Sequence, residues 1–78
     1  MQSLTLSISL DTYATGLAIA ELIREFDDMA DVHLHEAKVG TGWAMTVHTS
    51  VPASSAQELR QRIKETGARL RVQRLDRG

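Results

Sequence analysis

Aliphatic side chains alternate with serine and threonine along "SLTLSISL", residues 3–10. Leu4, Leu6, Ile8 and Leu10 fall on one side, and Ser3, Thr5, Ser7 and Ser9 on the other. A period of two held over eight residues predicts a strand buried on one face. The period then changes. In residues 11–30, "DTYATGLAIAELIREFDDMA", the positions Ile19, Leu22, Ile23, Phe26 and Ala30 recur at helical spacing and make the stripe of an amphipathic helix. Asp11, Thr12 or Thr15 can cap its start. Gly16 stands one turn before Ile19 on the same stripe. A missing side chain there lets the helix approach a sheet closely, offsetting part of glycine's helix penalty of roughly 1 kcal/mol.

Residues 32–39 and 42–51 read as the next two strands, joined at Gly40-Thr41. Glycine at the first of two central positions is the mark of a type II′ hairpin turn. With that loop, Val39 faces Gly42, Leu34 faces Val47, Val32 faces Thr49 and His33 faces His48. Lys38 falls opposite Trp43, where its stem can lie along the indole. Glu36 falls opposite Met45 on the core side, a poor match that predicts a bulge or the end of burial.

Pro52 closes that strand, and "SSAQELRQRIKETG" (54–67) reads as a second helix. Ser55 with Glu58, or Ser54 with Gln57, has the spacing of a capping box. Ala56, Leu59, Ile63 and Gly67 form a narrower apolar stripe, and Gly67 also suits a C-terminal cap. "RLRVQRL" (69–75) is the last strand, with Leu70 and Val72 inward, and Arg77-Gly78 is a tail.

The order is β-α-β-β-α-β in a single domain, residues 1–78. Right-handed crossovers bring the first and third strands to the middle of a four-stranded antiparallel sheet, with both helices on one face. This is the α+β, ferredoxin-like sandwich. Its other sheet face is open, and carries Ser3, Thr5, Ser7, Ser9, Ala44, Thr46, His33, His35, His48, Arg69, Arg71 and Gln73.

Composition narrows the function. A chain of 78 residues buries a modest core, and without cysteine it has neither disulfide staples nor thiolate metal ligands. No apolar run approaches the roughly 20 residues of a membrane span, and "MQSLTLSISL" lacks the basic start of a signal peptide, so a soluble cytoplasmic protein is expected. Residues 1–39 carry two basic and seven acidic side chains, net −5, and residues 40–78 carry seven basic and three acidic, net +4. The two halves offset one another within the fold or across a dimer, and a homodimer also supplies burial that so short a chain lacks.

All three histidines lie in "VHLHEAKVGTGWAMTVH", residues 32–48. With the two-residue turn, His33, His35 and His48 rise from one face, close enough to share an ion at nitrogen distances of about 2.0–2.1 Å. Three imidazoles and a water suit zinc, nickel or copper. The competing reading treats them as polar residues on a solvated sheet face, with no cofactor.

"SLDTYATGLAIAELI" (9–23) resembles the ACT family of small-molecule-binding regulatory domains. Asp11 stands at the strand end, and Gly16-Leu17 opens text like the family's "GxLAxIA" helix. The likeness spans nearly the whole chain, although no proline intervenes between Asp11 and Gly16 where the family usually has one. It implies a dimer that binds an amino acid or similar effector near residues 11–16, with Asp11, Thr12, Thr15 and Gly16 as ligand contacts. Backbone N–H groups at a helix start suit a carboxylate. "HLH" (33–35) is also similar to the His-x-His pair in the ACT-like regulatory domain of nickel-responsive repressors. The cysteine that follows in those proteins and their DNA-binding segment have no counterpart here.

No catalytic motif is present: there is no Gly-x-Ser-x-Gly, P-loop or His-Glu-x-x-His text. An enzyme is not expected. Arg69 and Arg71 join Arg60, Arg62, Lys64, Arg74 and Arg77 as a basic set, but the open face offers no aromatic on which a base could stack, so nucleic acid is not the expected partner. Asp27, Asp28 and Asp31 cluster at the end of the first helix without a catalytic role. The expectation is a regulatory domain that binds a small effector as a homodimer. A transition-metal module and a protein-docking module are the alternatives.

Overall fold

A computed structural model describes residues 1–77, with side chains from Met1 to Arg71. The elements are β1 (Gln2–Leu10), α1 (Tyr13–Phe26), β2 (Asp31–Glu36), β3 (Trp43–Val51), α2 (Ala53–Glu65) and β4 (Arg69–Arg77). The strands form one antiparallel sheet in the order β2-β3-β1-β4. This is the expected ferredoxin-like sandwich. The expected placements of the Val72, Gln73, Arg74 and Arg77 side chains, and the tail residue Gly78, lie outside the described residues. Among the described residues no helix is long and apolar enough to cross a membrane.

The alternation in β1 does what it predicts. Leu4, Leu6, Ile8 and Leu10 are buried and meet Met45, Val47 and Val51 of β3 in the core. Ile19, Ala20 and Ile23 of α1 and Ala56, Leu59 and Ile63 of α2 close it from above. Leu22, Phe26 and Ala30 pack at its margin. Gly16 is buried for the reason its place on the stripe suggests: a Cβ there would come within 2.8 and 2.9 Å of the two Leu34 methyls.

Three expectations fail locally. The first is the helix end. α1 stops at Phe26 and does not run to Ala30, because Asp27 turns to extended backbone (φ −151°, ψ 102°) and commits its carboxylate to β3. Thr12 is the N-cap of α1, its hydroxyl accepting from the Thr15 N–H at 3.2 Å.

The second is the capping box. α2 begins one residue early, at Ala53, with Pro52 as N-cap and no side chain bonded at the cap. The Ser55 and Ala56 amides donate to the Pro52 carbonyl instead, so Ser54 and Ser55 lie within the first turn. At the other end Thr66 is the C-cap, and Gly67 follows it with the left-handed φ of +87° that suits glycine just past a helix end.

The third is the hairpin. Leu34 pairs with Met45, Val32 with Val47 and His33 with Thr46, a two-residue slip from the register of a Gly40-Thr41 turn. The Ala37 N–H donates to the Gly42 carbonyl, leaving Lys38–Thr41 as a four-residue loop. A slip of two keeps every side chain on its face. It also removes the mismatch at Glu36, which now pairs with Trp43 at the strand end. Gly42 anchors the loop. Its φ is +97°, and a Cβ there would lie 2.6 Å from the Leu10 carbonyl oxygen.

Candidate functional site

The register sets out the open face in rows across the strands. One row is His35, Ala44, Ser9 and Arg69; the next is His33, Thr46, Ser7 and Arg71. In these two rows the central strands offer only short side chains, so they form a floor. The edge strands raise longer ones, with exposed arginines on β4 and exposed imidazoles on β2. The result is a trough. At its β4 side Ser7, Ser9, Arg69, Leu70 and Arg71 line a cleft of about 320 Å³. Guanidinium groups are permanently charged donors, and paired with hydroxyls they suit a carboxylate or phosphate.

The observed register separates the histidines. His33 pairs with Thr46, and Asp31 takes the place opposite His48. Each ring has its own neighbour. His33 Nε2 lies 3.1 Å from Asp31 Oδ1, His35 Nδ1 lies 2.9 Å from the Glu36 carbonyl oxygen, and His48 Nδ1 lies 3.3 Å from Thr5 Oγ1. Among the described residues no group of three or more His, Cys, Asp or Glu side chains is placed to hold a metal ion.

Asp11, Thr12, Thr15 and Gly16 lie at the junction of β1 and α1. However, Thr12 and Thr15 satisfy one another, with hydroxyls 2.8 Å apart. The space between Asp11, Thr15 and the α2–β4 turn at Thr66–Ala68 is only about 90 Å³, well below the roughly 300 Å³ of a small ligand pocket. Gly16 is covered by Leu34 and Leu10.

Sequence reasoning missed Asp27. β3 runs three residues past the point where β2 begins, which leaves the β3 edge bare beyond His48. Asp27 Oδ2 fills that gap by accepting from the Ser50 N–H at 3.0 Å and the buried Thr49 hydroxyl at 2.8 Å. Oδ1 accepts from the Met29 N–H at 3.1 Å. The Ser50 N–H foremost, then the Thr49 hydroxyl and the Met29 N–H, hold the carboxyl below its ordinary pKa against the opposing effect of burial. A groove of about 490 Å³ opens beside it, lined by Thr5, Asp27, Met29, His48 and Ser50 among others. It is larger than the cleft at Arg69 and Arg71, yet Asp27's bonds there serve the fold. The only advance signal was an acidic residue where a helix C-terminus disfavours one.

No family model matches the chain, and no curated protein matches it. Among solved structures it is similar to one titled "De novo designed protein Foldit4", with a TM-score of 0.63 and 15% identity over 99% of this chain and 97% of that one. At that identity the likeness shows the fold alone.

Proposed function

We propose that this chain is a non-catalytic binding domain that takes a small carboxylate-bearing effector, with the carboxylate seated between Arg69 and Arg71. The observation that carries this reading is the cleft of about 320 Å³ in which two arginines of β4 stand over two serines of β1. Its volume lies in the range of small-ligand sites, and its polar lining consists of donors for an anion. The resemblance to ACT domains supports an effector-binding role. The geometry favours a place for the effector on the open face, next to residues 11–16 in the chain but on the far side of the sheet.

Amide chemical-shift mapping with acetate and with L-amino acids tests this. Shifts centred on Ser7, Ser9, Arg69 and Arg71, lost in Arg69→Ala/Arg71→Ala, are expected. Shifts confined to residues 11–16, or none at millimolar ligand, would refute it.

A further inference from the structure

We propose that the trough is specific for an elongated zwitterion lying across the strands, its carboxylate on β4 and a primary ammonium on β2. The inference rests on the carboxylate site above and adds the other end of the ligand. The two walls differ in kind. Arg69 and Arg71 present donors alone. On β2, His35 Nδ1 faces the Glu36 carbonyl at 2.9 Å, so in the neutral ring that nitrogen carries the proton and Nε2 keeps a free lone pair. His33 Nε2 faces Asp31 Oδ1 at 3.1 Å, which by the same reasoning leaves Nδ1 as an acceptor. Asp31 adds a carboxylate on the same face. One wall therefore donates and the other accepts, and the register sets them end to end on shared rows: His35 with Arg69, and His33 with Arg71.

Length follows from the sheet. Three strand spacings of about 4.8 Å put the outer strands about 14 Å apart, part of which the arginine and imidazole side chains span themselves. An α-amino acid, with both charges on one carbon, cannot reach both walls. A chain of several atoms between carboxylate and ammonium can, lying on the methyl and hydroxyl groups of Ala44, Ser9, Thr46 and Ser7.

Calorimetric titration with hexanoate and 6-aminohexanoate decides the matter, in wild type and in Asp31→Asn/His33→Ala/His35→Ala. All three substituted side chains are exposed, so the triple variant keeps the fold. Wild type is expected to bind 6-aminohexanoate about threefold to fivefold more tightly than hexanoate, the worth of one exposed charge contact. In the triple variant that advantage disappears while hexanoate binding is unchanged. Equal binding of the two probes by wild type overturns the inference and leaves the carboxylate site standing. An advantage that survives in the triple variant overturns it too, since the ammonium is then held elsewhere. Binding of neither probe removes both proposals.

Discussion

The carboxylate of Asp27 stands in for a missing strand residue opposite Ser50. It accepts the Ser50 N–H at 3.0 Å where β3 has outrun β2, and the same oxygen takes the hydroxyl of Thr49, the one polar residue buried in the core among those described. A buried hydroxyl that loses its acceptor costs about 1–3 kcal/mol. Asp27→Ala should therefore destabilise the fold by about 2 kcal/mol. Urea unfolding measures it, and Asp27→Ala/Thr49→Val should recover part of the loss.

The same pair gives a dependence on pH. A carboxyl held below its usual pKa contributes stability that is complete above the unfolded value, near 3.8, and is lost as pH falls through the lower folded value. Wild type should lose stability between about pH 5 and pH 2 faster than Asp27→Asn, whose amide does not titrate. The two melting curves should converge in acid, and parallel curves would count against the assignment.

Two glycines make opposite demands. Gly16→Ala sets a methyl against the ends of the Leu34 side chain, which can turn aside, and the better helix former returns up to about 1 kcal/mol. Gly42→Ala sets its methyl 2.6 Å from a backbone oxygen at a φ of +97°, and neither can give way cheaply. A loss of about 1–3 kcal/mol is expected at Gly42, and a smaller one at Gly16. Thermal melts of the two variants rank them.

The hairpin register is directly observable. Close Hα–Hα contacts should appear between Leu34 and Met45 and between Val32 and Val47 in nuclear Overhauser spectra. A Leu34–Val47 contact would restore the two-residue turn, and with it the close facing of His33 and His48. With the observed register, zinc, nickel and copper should shift the melting temperature little in metal-stripped protein, and His33→Ala/His48→Ala should not alter the response.

Element order and core residues were legible because both rest on periodicity, and sheet order because right-handed crossovers follow from that element order. The alternation at Leu4–Leu10 and the stripe at Ile19–Ile23 repeat often enough to overrule any single residue. What escaped depends on one contact made at a distance. Gly40-Thr41 is good turn text, but the close approach of Gly42 to Leu10 belongs to another strand. Ser54 and Ser55 have capping-box spacing, but Pro52 starts the helix before they can act. Asp27 reads as an ill-placed helix end until the unequal lengths of β2 and β3 are known. Alternation alone sorts the described residues of the open face, while its rows, and so the facing of histidines and arginines, depend on the hairpin register.

The unequal strands also bear on how the protein behaves when crowded. An uncovered amide on a sheet edge invites another chain to continue the ladder. At Ser50 that invitation is withdrawn by an anion that also repels the carbonyl oxygens of any incoming strand. Protonation of Asp27 weakens the guard. The first consequence of acid should then be self-association growing from the β3 end of the molecule, seen as light scattering in a protein that still has its native circular dichroism.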